Sequence, residues 1–305
     1  MISNFEEAYN TNDRAQRETL MNVVVVGGGP TGVELAGAIA EMKKYALPYD
    51  YPTMDWTQME VYLVEMSPRL LNGMSDASGE KSLEFLKRLG VKVRLNCAVG
   101  DYDGEVVKLA DDETIRTQTL IWAAGIRANP VPGLPEAVFG SGGRIQTNGY
   151  HQVEGLDGVY VLGDLALTPD ENFKEGHPQV AQVAIQQASN CAYNFKSLLK
   201  NRPFKSFLYK DLGTMATIGR KKAVVDLPFF SFQGFFAWLA WLFVHLMAIV
   251  GVKNRLFIFL NWAWSYLSFD ASLRLLIRPV LPKFEAEEVQ ERMVEDPKAK
   301  VDEKV

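Results

Sequence analysis

Gly27, Gly29 and Gly32 stand in a Gly-Gly-Gly-Pro-Thr-Gly run that directly follows Val23 to Val26. The spacing is GxGxxG, and its surroundings give it weight. The β-branched run before it reads as a strand, and the Ala-, Leu- and Glu-rich stretch Val33 to Met42 after it reads as a helix. In such a unit Gly27 permits the tight turn, Gly29 lets backbone approach a pyrophosphate, and Gly32 lets helix and strand pack closely. The amides that open the helix would face the phosphates, where the helix dipole is positive. A second apolar run, Val61 to Val64, ends at Glu65. A carboxylate there can accept the ribose hydroxyls of an adenosine and repels a 2′-phosphate, so the residues read as a site for NADH rather than NADPH. Arg69 is expected to pair on the surface rather than serve a 2′-phosphate. Glu34 falls in the first helical turn, where it either complements the helix dipole or borders the nicotinamide; spacing does not choose between the two.

The elements that must position these residues follow from pattern. Residues 5–20 look helical and amphipathic, with a break near Thr11–Asp13. Ser75–Leu89 reads as a helix with Ser75 or Asp76 as cap and Gly90 as stop. Val91–Leu95 reads as a strand, Glu105–Leu109 as one arm of a hairpin, and Leu120–Ala124 as a return to the sheet. This alternation predicts a parallel α/β sheet, with residues 1–20 as a helical lead-in and 21–128 as the dinucleotide-binding, Rossmann-like domain. From Pro130 to Tyr150 the chain is rich in Gly and Pro and reads as a crossover. Val159–Leu162 reads as a buried strand that stops at Gly163-Asp164. Pro178 suits the first position of a helix running to about Leu199. Phe207–Tyr209 and Thr214–Ile218 are two further short strands by pattern, and residues 129–226 are grouped with them.

Composition narrows the classes. The 305 residues carry a net charge of −5, which argues against a nucleic-acid partner. The two cysteines, Cys97 and Cys191, are far apart and outside any CxxC spacing, so neither a metal site nor a redox dithiol is expected. They read as buried thiols of a reduced, cytoplasm-facing protein, and no signal peptide is visible. Leu227 to Leu276 is the most apolar stretch. Within it, Phe229–Val252 is interrupted mainly by Gln233 and His245 and is formally long enough for a transmembrane helix. Its Phe and Trp content also suits a membrane interface. Lys253, Asn254 and Arg255 follow, then Leu256–Phe269, with Arg274 and Arg278 closing the segment. Residues 227–279 are thus expected to form apolar membrane-anchoring helices, spanning or monotopic, and 280–305 a polar tail. No chain of buried carboxylates suggests proton pumping.

Taken together, VVVVGGGPTGVELAG (Val23–Gly37), WAAG (Trp122–Gly125), VYVLGD (Val159–Asp164) and AQVAIQQ (Ala181–Gln187) resemble the type II NADH dehydrogenases. These are non-electrogenic NADH:quinone oxidoreductases of the two-dinucleotide-binding-domain flavoprotein superfamily. The resemblance implies FAD in one Rossmann-like domain, NADH in a second inserted in it, and a C-terminal part on the lipid bilayer. The implied location is the cytoplasmic face of the inner (cell) membrane, and a homodimer is an arrangement the resemblance admits. It carries NADH binding to Gly27, Gly29, Gly32 and Glu65, and places Glu34 by the nicotinamide–flavin stack. It puts cofactor contacts at Ala124, Gly125, Gly163 and Asp164, the last on a flavin ribityl hydroxyl. The amides of Gln179, Val180 and Ala181, at the start of the following helix, would stabilise negative charge on reduced flavin. Gln182 and Gln186 share a helix face and would bond quinone carbonyls, with Ala181 and Ala184 leaving room for a flat ring. Read without the resemblance, that helix is an ordinary amphipathic one. His177 is a less favoured proton donor, more simply a cap or solvent-facing, and Lys221 and Lys222 could pair with Glu34 or lie in a solvated turn.

One departure stands out. The resembling enzymes open with their own FAD-binding strand–GxGxxG unit, whereas 26 residues precede Gly27 here. The chain therefore reads as N-terminally truncated, carrying a partial FAD-binding domain. The alternative is a membrane-tethered NADH-binding fragment or flavin-deficient subunit without independent activity. Disulfide reductases fit poorly, for want of a redox cysteine pair.

Overall fold

The computed structural model describes residues 1–268. Helices α1 (Ile2–Asn10) and α2 (Arg14–Met21) open the chain. They part at the expected break because the Asp13 carboxylate turns back to accept the amides of Ala15 and Gln16 and caps α2. The four valines form β1 (Val23–Val26), and Pro30 opens α3 (Pro30–Glu41) with Gly29 as its N-cap. A π-helical turn, Met42–Ala46, then leads into the short α4 (Leu47–Asp50). Next come β2 (Val61–Val64), α5 (Asp76–Arg88) and β3 (Lys92–Arg94). Ser75 Oγ accepts the Ser78 amide at the start of α5, and Gly90, at φ +88°, ends it. An antiparallel meander follows, β4 (Val99–Tyr102), β5 (Val106–Leu109) and β6 (Thr114–Arg116), before β7 (Thr119–Trp122).

β1 sits inside a four-stranded sheet of order β3-β2-β1-β7, parallel throughout. Strands buried on both faces read as unbroken apolar runs, which is why Val23–Val26 shows no alternation. Val23 and Val25 face a core with Phe5, Leu20, Val33 and Leu63, while Val24 and Val26 pack with Val107 and Ile115 of the meander. This is the α/β, Rossmann-like arrangement expected from the sequence.

Beyond it, β8 (Ile145–Gln146) pairs in parallel with β9 (Ala166–Leu167), and α6 covers Ala181–Leu198. A three-stranded antiparallel sheet, β10 (Thr214–Thr217), β11 (Ala223–Leu227) and β12 (Phe230–Gly234), packs on α3 and α5. Asp226 of β11 joins that sheet to α5. Its carboxylate accepts the Ser75 amide at 2.5 Å and the hydroxyls of Ser75 and Ser78 at 3.0 and 2.7 Å. The chain then forms α7 (Phe235–Ala248) and α8 (Val252–Ser268), which pack against each other as a helical hairpin.

Four local expectations are corrected. Val159–Leu162 is not a strand; Tyr160 makes an isolated bridge with Gln152, and a short apolar run cannot reveal whether it has a ladder partner. α6 starts at Ala181 rather than Pro178, because Val180 is extended (φ −137°, ψ 150°) and its amide turns back to the Pro178 carbonyl. Phe207–Tyr209 lies outside any strand, since the backbone beside it is paired by side-chain amides of α6, as described below. Finally, Phe229–Val252 does not form one long helix. Its first residues pair with β11 as β12, Gly234 turns the chain at φ +91°, and α7 has only 14 residues. At about 1.5 Å per residue that falls short of the roughly 30 Å of a hydrocarbon core. Among the described residues no helix is long and apolar enough to cross a membrane. Arg274, Arg278 and the expected polar tail lie outside the described residues.

Candidate functional site

The glycines of the first loop divide into those held by packing and one that faces open space. A Cβ on Gly27, whose φ is +109°, would lie 2.7 Å from the Ala123 backbone, and one on Gly32 would lie 1.8 Å from the Gly27 carbonyl oxygen. A Cβ on Gly29 would meet nothing within 4 Å. The turn is therefore closed on the protein side and open at the residue where backbone must approach a ligand. Glu65 closes the other side of the loop. One carboxylate oxygen accepts the Gly28 amide at 2.5 Å, the other the Ser67 amide at 2.7 Å. Burial alone would raise its pKa, but the hydrogen bonds from the Ser67 side chain, the Gly28 amide and the Ser67 amide together hold it below the ordinary carboxylate value. Three hydrogen bonds on a carboxylate with about four lone-pair sites leave room for an incoming hydroxyl. Arg69 pairs on the surface with Asp76 and the Asn72 carbonyl, as expected. Ala124 and Gly125 are exposed just past β7, and the Ala124 backbone adjoins Gly27. These residues share the carboxyl edge of the parallel strands, where open α/β sheets bind ligands.

Glu34 reaches away from Lys221 and Lys222. Its Oε1 accepts the Thr217 amide at 3.0 Å and the Thr217 hydroxyl at 3.4 Å, tying α3 to β10. The two lysines instead lie over the rings of Tyr266 and Phe85.

A second group forms around the start of α6. Gly163 and Asp164 occupy a 3-10 turn, with the Asp164 carboxylate exposed and making no hydrogen bond among the described residues. Gln179 Nε2 donates to the Asp164 carbonyl at 2.8 Å. Val180 and Ala181 are exposed, and the amides of Ala181 and Gln182 have no partner among the described residues, so the helix start presents free donors. Ala184 packs beside the Gly-Asp turn: a Cβ on Gly163 would come within 3.2 Å of it. Gln182 and Gln186 are already engaged. Gln182 donates to Gly213 O at 3.2 Å and accepts from the Leu212 amide at 3.1 Å, while Gln186 makes the same pair with Lys210 at 2.8 and 3.0 Å. Asn194 repeats the device with Lys205. One face of α6 thus acts as a polar ladder for the extended segment 205–213. β10 links the two groups, held before its first residue by Gln182 and at its last by Glu34.

His177 neither caps α6 nor faces solvent. It is 1% exposed, its Nε2 lies 2.8 Å from an Asp170 oxygen, and the rings of Phe173, Phe207 and Tyr209 surround it. Both cysteines are buried, and burial pushes their thiols up, which makes them poor nucleophiles.

Two positioning residues were given no role by the sequence, although Gln187 ends the Ala181–Gln187 motif. Gln187, 1% exposed, accepts the Gly163 amide at 2.6 Å and pins the Gly-Asp turn to α6. Buried Arg144 donates to the carbonyls of Ala166 (3.0 Å) and His177 (2.8 Å), joining the segments on either side of that turn. Gln187→Leu should therefore leave the Gly163 amide unpaired and lower stability by about 1–3 kcal/mol. A urea melt that matches wild type would show that the turn stands without this bond.

A family model described as "Pyridine nucleotide-disulphide oxidoreductase" matches residues 2–188, and one described as "NDH2 C-terminal domain" matches residues 212–268. The chain is 36% identical over 282 residues to the "Type II NADH:quinone oxidoreductase NdhA" of Mycobacterium tuberculosis, covering 88% of this chain and 58% of that protein. It is 34% identical to the "Type II NADH:quinone oxidoreductase Ndh" of the same organism, covering 88% and 59%. The chain thus spans somewhat under two thirds of the length of these relatives. Among solved structures, NDH2 from Plasmodium falciparum in complex with NADH superposes with a TM-score of 0.79 at 18% identity, covering 87% of this chain and 70% of that one, a likeness of fold.

Proposed function

The chain belongs to the pyridine nucleotide-disulphide oxidoreductase family, and on that premise we propose that it is the NADH-binding, acceptor-facing part of a type II NADH:quinone oxidoreductase. The observation that carries the reading is the loop closed around Gly27 and Gly32 but open at Gly29, with the Glu65 carboxylate at its side. That cradle fits a dinucleotide pyrophosphate and an unphosphorylated ribose.

In this reading Gly27, Gly29 and Gly32 hold the NADH phosphates, Glu65 the ribose, and Ala124 and Gly125 border the nicotinamide half. Gly163, Asp164 and the amides of Gln179 and Ala181 would hold FAD, the Val180 amide being taken by the Pro178 carbonyl, and the free carboxylate of Asp164 and free donors of α6 fit that group. Bound FAD would take a hydride from NADH and pass two electrons to a membrane quinone. Glu34, on α3 and fixed by Thr217 at the end of β10, would border the nicotinamide as an orienting carboxylate. Gln182 and Gln186 keep one amide N–H each beyond their bonds to residues 210–213, and these donors would meet a quinone carbonyl. The α7–α8 hairpin exposes Phe236, Phe243, Phe257 and Trp264, a composition suited to lying in a bilayer interface, and the face we assign to it from the family resemblance is the cytoplasmic one. Residues 21–128 form the NADH unit and 129–226 the flavin- and acceptor-facing unit.

The direct test is NADH binding by the purified chain, followed by NADH oxidation with a soluble quinone; no binding at millimolar NADH would overturn the reading. Gln182→Ala should slow quinone reduction more than flavin reduction in stopped flow. Equal losses in both half-reactions would assign Gln182 to holding segment 205–213 alone.

A further inference from the structure

An apolar groove of about 940 Å³ lies between the second half of α3 with its π-helical turn and the α7–α8 hairpin. Ala38 and Tyr45 form part of one wall, and Trp238, Trp241, Leu242 and Trp262 part of the other. The volume is at the upper end of the roughly 300–1,000 Å³ of small-molecule sites. The π-helical turn itself supplies Met42, Tyr45 and Ala46 to the lining, and such turns recur at functional sites. The groove opens onto lipophilic surface, because two of its lining residues, Phe243 and Phe259, are 64% and 53% exposed.

The rim decides what kind of molecule fits. Arg220 lines the groove with its guanidinium 5.3 Å from the centre of the Tyr266 ring, and Lys221 Nζ lies 5.1 Å from the same ring. Lys44 Nζ lies 5.3 Å from the centre of Tyr45. Glu41 is the acid in the described lining, and one of its oxygens already accepts the Arg220 amide at 2.5 Å. Three cations seated on aromatic rings therefore lie beside an apolar channel whose acid, among the described lining residues, is Glu41. Trp and Tyr are enriched at the bilayer interface, and basic groups beside them attract acidic headgroups.

We propose that this groove holds one anionic phospholipid, its acyl chains between α3 and the hairpin and its phosphate against Lys44, Arg220 and Lys221. The inference extends the membrane-facing part of the reading above but needs neither NADH nor a quinone. Tryptophans in the wall make it measurable in the full-length chain. Vesicles of phosphatidylcholine carrying brominated phosphatidylglycerol should quench tryptophan emission at several-fold lower lipid than vesicles carrying brominated phosphatidylcholine. The double variant Lys44→Glu/Lys221→Glu should lose that preference. Ala38→Phe, which narrows the groove without altering charge, should weaken quenching by the acidic lipid; unchanged circular dichroism would show that both variants fold. Equal quenching by the two lipids, or a preference that survives the double variant, overturns the proposal. A preference untouched by Ala38→Phe also overturns it, showing diffuse surface attraction or a groove filled by another part of the chain. NADH binding without lipid preference sinks only this inference, whereas lipid preference without NADH binding sinks only the functional reading.

Discussion

Gly29→Ala should abolish most NADH binding while leaving the melting temperature near that of wild type, and Gly32→Ala should remove both. The difference lies in what an added methyl meets. At Gly32 it would lie 1.8 Å from the Gly27 carbonyl oxygen, a backbone contact that no rotamer change relieves. Overpacking usually costs about 1–3 kcal/mol, and here α3 must shift off β1 at the centre of the sheet, so the cost belongs at or above the top of that range. Against a typical stability of about 5–15 kcal/mol, a drop of that size is visible in any thermal melt. Gly29 sits at φ −72° and ψ 179°, extended backbone open to any residue, with nothing within 4 Å of its missing side chain. Its alanine variant should fold normally, but the methyl would occupy the space through which a pyrophosphate reaches the helix amides, weakening NADH by about tenfold or more, the equivalent of roughly 1.4 kcal/mol. Calorimetric melts and a nucleotide titration measure both halves. If Gly29→Ala binds NADH as wild type does, the pyrophosphate lies elsewhere.

Glu65 supports the second large effect. Each oxygen accepts a backbone amide, from Gly28 and from Ser67, so Glu65→Gln would turn an NH₂ group against one of two N–H donors. Leaving such a donor unpaired costs about 1–3 kcal/mol, and the loop it orders is the one proposed to meet the pyrophosphate. NADH affinity should fall by about tenfold or more, and selectivity over NADPH should fall with it, because the charge that repels a 2′-phosphate is gone. The pH dependence has a definite sign. The folded-state pKa lies below the ordinary 4.5, so the stabilisation from the ionised carboxylate is complete above that value and is lost as pH falls through the folded one. The Glu65 contribution to NADH affinity should therefore be level from neutrality to about pH 5 and decline only in stronger acid. A Glu65-dependent loss between pH 6 and 7, absent in Glu65→Gln, would contradict the hydrogen-bonding seen here.

The two tests draw on parts of the chain that were unequally legible. The strand–glycine–helix unit was plain because its signals are local: four valines, a fixed glycine spacing, and a carboxylate closing the next strand. The capped helix at Ser75 and the break at Asp13 were legible for the same reason, since a cap is made by residues a few positions from the amides it serves. The Val159–Leu162 run looked the same as Val23–Val26 in sequence, yet only the second has parallel neighbours on both edges. Pairing is a property of the partner, and one strand's composition does not report it. Phe229–Val252 misled for a related reason: total hydrophobicity suggested a span, but cross-strand pairing with β11 and the turn at Gly234 claimed its first residues.

Residue chemistry and short spacings determined the strand–glycine–helix loop, the carboxylate that closes the next strand, the parallel sheet and the apolar character of the C-terminal region. Tertiary structure decided what joins these pieces. Asp226 holds the N-cap serine of a helix that starts about 150 positions earlier, Glu34 reaches Thr217 across a gap of 183, and Gln187 holds a glycine 24 residues back. It also decided that Gln182 and Gln186 clamp backbone, and that α3 and the C-terminal hairpin enclose a groove. Hydrogen bonds and cavities between distant segments exist only once the core has brought those segments together, so no local pattern records them.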